Sequence, residues 1–332
     1  MTQVKSNWKS SIKNGEYRRQ DSAFRNWITA DGSAGPSGQA GFKAEADRYH
    51  LYVSLACPWA HRALIFRAIK GLKNLISVSV VHPDMLGKGW SFQHDAESAA
   101  LYGTTGDELA GSEFMSEKYY GNTPDYAGPI TVPVLWDKKQ QVIVNNESSE
   151  IIRMFNSAFN GITGNELDFY PTHLQTQIDE VNELVYHKVN NGVYKSGFAS
   201  TQQAYEDNVI PLFEALQILD DKLATQRYLT GAELTEADWR LWTTLIRFDA
   251  VYHTHFKCNL RLLKEYSNLY HYMLELYQMP GIADTVNMAH IKRHYYASHQ
   301  SINTYGIVPI GHDQDWSVAH GREHIGISHS GK

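Results

Sequence analysis

The stretch Ala56-Cys57-Pro58-Trp59-Ala60-His61-Arg62 joins two different sequence periods. Before it, Arg48-Tyr49-His50-Leu51-Tyr52-Val53-Ser54 alternates in the manner of a strand. After it, from Pro58 to about residue 70, Ala60, Ala63, Leu64 and Ala68 fall on one side of a helix. Pro58 suits the first helical position, where a missing N–H has no intrahelical use. The next run, Leu75-Ile76-Ser77-Val78-Ser79-Val80-Val81, is apolar enough for a buried strand. Strand, helix, strand is a βαβ unit, and its right-handed crossover makes the two strands parallel. Cys57 then stands just ahead of a helix, where unpaired N–H groups and the positive end of the dipole favour thiolate over thiol. Such a cysteine titrates below the ordinary value of about 8.5. The alternative is an inert buried cysteine, the commoner fate of this residue, against which the helix start and Pro58 argue.

Composition bounds the rest. A chain of 332 residues has room for two domains, and 42% apolar residues is enough for packed cores. A net charge of −6 argues against nucleic acid or an anionic membrane as the main partner. No run of about 18 apolar residues marks a membrane span, and residues 1–19 lack the apolar core of a secretory signal. Only two cysteines occur, Cys57 and Cys258, which excludes a disulfide framework and makes a reducing, cytoplasmic setting the expectation. Aromatic residues make up 12%, with 20 Tyr and 8 Trp, which suits a site that holds a ring.

Residues 1–45 read as an N-terminal arm. Residues 82–128 form a long polar loop with one short helix expected at about 113–120; loops of this length inside a domain tend to be functional. Trp90, in Gly89-Trp90-Ser91-Phe92, is its conspicuous residue, as ligand contact or as loop anchor. Thr131-Val132-Pro133-Val134-Leu135-Trp136-Asp137 reads as a strand with proline at an edge or special position, and 141–144 as its hairpin partner. Asn145-Asn146-Glu147-Ser148-Ser149-Glu150 opens a helix over 151–156 with cap residues. From about residue 171 the periodicity is helical throughout, with helices expected at 200–224 (kinked at Pro211), after the capping-box-like Thr235-Glu236-Ala237-Asp238, at 259–278 and at 283–297. The tail from 298 is irregular. His312, His320, His324 and His329 raise a metal reading, but without cysteine or many acids nearby a solvated tail is the better one, and no metal is expected.

This order resembles a thioredoxin-like α/β domain (46–160, with the loop 82–128) followed by an all-α domain (170–297) and a tail (298–332), the glutathione transferase architecture. The closer resemblance is to the cysteine-type, Xi-class glutathionyl-hydroquinone reductases. It rests on Cys57-Pro58-Trp59-Ala60-His61-Arg62, Gly89-Trp90, the Thr131 to Asp137 strand and Asn146-Glu147-Ser148. In the second half it rests on Gly192-Val193-Tyr194, Thr235 to Asp238, Arg247-Phe248-Asp249-Ala250-Val251-Tyr252, His255-Phe256-Lys257-Cys258-Asn259 and His290-Ile291-Lys292-Arg293-His294-Tyr295-Tyr296.

The resemblance implies reduction of a glutathionyl-hydroquinone by glutathione, with no tightly bound cofactor and glutathione as co-substrate. It implies Cys57 as nucleophile, with Tyr194, Tyr252 and Tyr295 around the reacting sulfur and the phenol, Tyr194 as proton donor. It implies a glutathione site of Trp90, the Pro129, Ile130, Thr131 and Val132 backbone, Glu147 for the amine and Ser148 for a carboxylate, and a homodimer. A cis Val132–Pro133 bond, as in thioredoxin-like folds, would expose backbone groups to the peptide, and the residues leave cis and trans both open. The residues add one constraint. Ala60 stands where a second cysteine would make an internal disulfide, so a Cys57–glutathione mixed disulfide needs an external thiol. Cys258 reads as structural. Two other readings stand beside this one: an Omega-like thioltransferase or dehydroascorbate reductase using the same cysteine, and a non-catalytic glutathione or aromatic-ligand binder.

Overall fold

The computed structural model describes residues 12–85, 87–311 and 314–325. Two compact units emerge: one of Gln20–Leu167 with Asp284–Pro309, the other of Ile12–Arg19, Asp168–Ala283 and the tail from Ile310.

The first unit is built on a four-stranded mixed sheet. Its elements are β3 (Tyr49–Val53), α1 (Pro58–Ile69), β4 (Ile76–Val80), α2 (Ala96–Tyr102), α3 (Met115–Asn122), β5 (Val134–Asp137), β6 (Val142–Asn145), α4 (Ser148–Ser157), the short α5 (Asn160–Thr163) and α11 (Met288–Ser298). The order across the sheet is β4-β3-β5-β6. β3 and β4 are parallel, as the crossover through α1 requires, while β3–β5 and β5–β6 are antiparallel. All five β3 residues are buried, as expected for a central strand covered on both faces. α1 and α4 pack together, with Ala60, Ala63, Ile151 and Ile152 all fully buried. Pro133 precedes β5 and so removes no ladder hydrogen bond from it; the Val132–Pro133 peptide is cis.

Three features of this unit differ from the sequence reading. The loop 82–128 holds two helices. The additional one, α2, has a local signature: Asp95 Oδ1 accepts from Ser98 N at 2.7 Å, Ser98 Oγ accepts from Asp95 N at 3.0 Å, and Gly103 ends it at φ 67°. The arm is not separate: Asn26 N donates to the Val144 carbonyl at 2.9 Å and Arg25 bridges Asn145, so the chain covers the free edge of β6. Helix α11 groups with this unit rather than with the other helices. Its polar side chains reach back to it: Arg293 to Asp84 at 2.7 Å, and His294 Nδ1 and Ser298 Oγ to the Pro83 carbonyl at 2.8 and 3.2 Å.

The second unit opens with the small hairpin of β1 (Ile12–Lys13) and β2 (Glu16–Tyr17) and is otherwise helical: α6 (Gln175–Leu184), α7 (Asn191–Gly197), α8 (Gln202–Leu223), α9 (Glu236–Leu245) and α10 (Ser267–Tyr277). A π-helical turn, Val185–Asn190, joins α6 to α7, and a second, Phe248–Tyr252, follows α9. α8 continues through Pro211. At the α9 start the Asp238 carboxylate takes Thr235 N at 2.8 Å, and also Leu229 N and the Tyr272 hydroxyl, each at 2.8 Å. α10 starts later than its periodicity suggests. Asp249 takes the N–H groups of Leu263 and Lys264, which holds that segment outside the helix, and Asp220 of α8 caps α10 by accepting from Leu269 N at 2.7 Å.

Candidate active site

Cys57 is the N-cap of α1, with φ −74° and ψ 117°, and Pro58 follows it as the first helical residue. Its carbonyl accepts the first intrahelical bond, from His61 N at 3.0 Å, and its own N–H donates to the Ser54 carbonyl at 3.1 Å. The residue is half-buried, and Sγ lies 3.4 Å from the Val132 carbonyl oxygen, the group immediately before the cis peptide. Neither Cys57 nor Cys258 forms a disulfide. A thiol here donates to that carbonyl, and the α1 N-terminus with the positive end of its dipole favours the thiolate.

The Val132 segment is held from below by Tyr119 of α3. Its hydroxyl donates to the Thr131 carbonyl at 2.9 Å and accepts from Asn146 Nδ2 at 3.1 Å. Burial raises the Tyr119 hydroxyl above its ordinary pKa, which keeps it a donor. Upstream, the Pro129 carbonyl takes the Tyr126 hydroxyl at 3.0 Å, and Ile130 and Thr131 are partly exposed. Glu147 is the N-cap of α4. One carboxylate oxygen accepts from Ser149 N and Oγ at 3.1 and 2.9 Å, the other from Ser22 Oγ of the arm at 3.0 Å. Ser148 is buried with Oγ 3.5 Å from Arg62 Nη1, and the Arg62 guanidinium lies 4.5 Å from the centre of the Trp59 ring.

Trp90 lies in the long loop, 7% exposed, stacked on His294 at 4.8 Å and 21°. Tyr295 follows His294 on α11 and packs edge-on against His294 and His299 at 5.3 and 5.5 Å. In the second unit Tyr194 and Tyr252 face each other at 6.1 Å, and both pack on Phe256, at 5.4 and 5.5 Å. Tyr17 of the β1–β2 hairpin and Phe198 complete this cluster. Both tyrosines come at or just beyond a π-helical turn, a feature that often marks functional positions.

The family profile described as Glutathione S-transferase, N-terminal domain, matches residues 56–158, and that described as Glutathione S-transferase, C-terminal domain, matches 202–275. The chain is 56% identical over 309 residues to glutathionyl-hydroquinone reductase YqjG of Escherichia coli K12, covering 93% of each. It is 46% identical over 297 residues to glutathionyl-hydroquinone reductase PcpF of Sphingobium chlorophenolicum, covering 90% of each. The glutathione-bound structure of YqjG superposes with a TM-score of 0.88 at 57% identity, covering 91% of this chain and 96% of that one. The glutathione-S-transferase Xi of Phanerochaete chrysosporium superposes at 0.85 and 51%, covering 91% and 95%. The chain belongs to the glutathionyl-hydroquinone reductases, the Xi class of the glutathione transferases.

In this Xi-class chain the sequence-selected residues fall into three groups. Cys57 and Val132 meet directly; Thr131 is bonded by Tyr119 and Asn146, Ser148 by Arg62 of α1, and Glu147 is linked to Asn146 through Ser22. Trp90 and Tyr295 share His294 as neighbour. Tyr194 and Tyr252 form the aromatic cluster of the second unit. The sequence reading passed over the supports: Tyr119, Ser22, His294 and Phe256. Only the last two stood inside quoted motifs; nothing local marks Tyr119 or Ser22, whose partners lie 12 to 125 residues away. Among the described residues no group of three or more His, Cys, Asp or Glu could hold a metal. His320 Nδ1 accepts from Arg322 N at 3.1 Å, while His312 and His329 lie outside the described residues.

Proposed function

We propose that the protein reduces glutathionyl-hydroquinones to hydroquinones, with glutathione as the electron donor and oxidised glutathione as the second product. The observation that carries this is Cys57 itself: one half-buried cysteine at a helix N-terminus, with Ala60 where a resolving cysteine would stand. The Cys57 thiolate attacks the glutathionyl sulfur of the conjugate. The S–S bond forms as the bond from sulfur to ring carbon breaks, and that carbon takes the electron pair and a proton. A second glutathione thiolate then attacks the bound glutathione sulfur and frees the Cys57 thiolate. The conjugate's thioether sulfur and one glutathione thiol sulfur are each oxidised by one electron to form the disulfide and the ring carbon is reduced by two, so the electrons balance.

Glutathione binds along the Pro129, Ile130, Thr131 and Val132 backbone. Glu147, already oriented by Ser22 and Ser149, takes the amine, and Ser148 with the N–H groups of the α4 start takes a carboxylate. Trp90 flanks the peptide. Tyr194 donates the proton to the ring carbon, and Tyr252 and Tyr295 bond the phenol oxygens. Tyr194 and Tyr252 already stand together on one aromatic cluster, which supports a shared ring site. The protein acts in the cytoplasm as a homodimer; among the described residues no helix is long and apolar enough to cross a membrane.

Mass analysis of the Cys57 peptide after mixing with a glutathionyl-hydroquinone tests the scheme. One glutathione on Cys57 with free hydroquinone released is expected. Turnover by a Cys57→Ala variant would sink the mechanism, and glutathione binding without turnover of any conjugate would leave a binding module.

A further inference from the structure

Helix α11 reaches the cysteine turn through a chain of three hydrogen bonds. His290, in the first turn of α11, places Nδ1 2.9 Å from the Tyr102 carbonyl oxygen and Nε2 3.1 Å from Ser54 Oγ. A carbonyl only accepts, so Nδ1 carries a proton, and in the neutral ring Nε2 presents its lone pair to the Ser54 hydroxyl. With its proton so committed, Ser54 Oγ turns a lone pair to Ala56, whose N–H donates to it at 3.2 Å. The Ser54 carbonyl takes the next N–H, that of Cys57, at 3.1 Å. Ser54 thus holds both successive amides that lead into the cysteine. Ser54, Ala56 and His290 are all fully buried, so water does not compete for these bonds. A second link runs parallel to the first: His61, one turn into α1, has Nε2 2.7 Å from Thr285 Oγ1, three residues before α11 begins.

We propose that His290 is a positioning residue for Cys57. Through Ser54 it sets the peptide preceding the cysteine, and with it the place of Sγ between the α1 N-terminus and the Val132 carbonyl. The inference rests on Cys57 being the nucleophile of the proposed reaction. A reacting atom misplaced by about 1 Å costs on the order of 100-fold in rate, so a hydrogen bond two groups removed from the sulfur can matter to turnover while touching no substrate.

The test uses the full chain with His290→Ala, Ser54→Ala, the double variant, and His290→Gln, whose amide keeps one donor and one acceptor. Ile291→Val, which thins the packing of the same helix without touching the chain of bonds, sets the effect of lost stability alone. Three quantities are read: the rate constant for Cys57 alkylation by iodoacetamide at one pH, kcat and KM for a glutathionyl-hydroquinone, and Tm. Expected are falls of about 10- to 100-fold in alkylation and kcat with KM within about twofold, a double variant no worse than the poorer single one, and partial recovery in His290→Gln. Losses no greater than those of Ile291→Val at an equal fall in Tm would overturn the proposal. If His290→Ala does not fold, Ser54→Ala and His290→Gln carry the same comparison. Slowed alkylation in the variants, with no conjugate turned over by the native protein, would uphold the positioning role and refute the reductase reading. Normal turnover in every variant would do the reverse.

Discussion

Cys57 caps α1 with its sulfur half-buried at a carbonyl beside the cis peptide, whereas Cys258 follows the Phe256-Lys257 turn fully buried in the second unit. The Cys258 sulfur faces the Val193 and Phe256 carbonyls at 4.0 and 3.8 Å, and burial, against a weaker opposing hydrogen bond from Ser196, pushes its thiol well above the ordinary pKa. The turn that carries it runs through Lys257 in the left-handed region, φ 57°, and is closed by Cys258 N on the Tyr252 carbonyl at 3.0 Å. The side chains are identical. What separates them is the setting of the sulfur: half-buried at a helix start beside the cis peptide at Cys57, fully buried against Phe256 at Cys258. Reactivity belongs to the setting, and a fully buried cysteine packs as a small apolar residue.

The largest effect that can break this contrast is at Cys57. Cys57→Ser should lower turnover of a glutathionyl-hydroquinone by on the order of 1000-fold or more, since a hydroxyl is not ionised near neutral pH. Steady-state assays read this directly, and a Cys258→Ala variant that lost as much would reverse the assignment. Next, iodoacetamide should label Cys57 in the native protein and reach Cys258 only through unfolding, so peptide mass analysis should show labelling of Cys258 rising with denaturant along the unfolding transition.

A third effect sharpens the Cys258 side. A Cβ built on Gly197 would lie 2.2 Å from Phe256 Cγ, so Gly197→Ala must displace that ring, with an expected loss of about 1–3 kcal/mol in urea unfolding. Labelling of Cys258 should begin at lower denaturant in that variant. The smallest effect concerns acid, on the Cys57 side. Burial opposes ionisation of Asp107, but the Lys118 ammonium at 2.8 Å and the Ser112 N–H at 3.0 Å outweigh it and hold the carboxyl below the usual range. A depressed carboxylate contributes stability that is full above its unfolded value of about 3.9 and lost as pH falls through its lower folded value. Thermal unfolding between about pH 5 and about pH 3 should therefore show a fall in Tm that Asp107→Asn flattens.

Much of the fold was legible because its signals are local. Strand β3, the Cys-Pro start of α1, β4 and the α9 start each declare themselves within one turn or one strand. The Asp95 to Ser98 capping box of α2 was equally local, and Gly103 ended it, so that helix was readable from the sequence. Other features lay beyond any window. The cap of α10 comes from Asp220, nearly fifty residues earlier, and no run of residues near α10 contains it. The arm could not be joined to β6 by composition, because edge pairing uses backbone groups that every residue carries. α11 reads as one more amphipathic helix, and its place depends on where His290, Arg293 and His294 find partners.

The amino-acid sequence by itself determined that one cysteine sits at a helix start, that no second thiol follows it at Ala60, and that a helical half succeeds an α/β half. These are matters of spacing and of single side-chain types, which a linear pattern carries. Only the tertiary structure decided that Sγ meets the Val132 carbonyl, that Glu147 is oriented from the arm by Ser22, that Trp90 rests on His294, and that His290 reaches the cysteine turn through Ser54. Each is a hydrogen bond or ring contact between residues far apart in the chain. Its existence follows from the packing of whole elements, which folding settles together and no segment encodes alone.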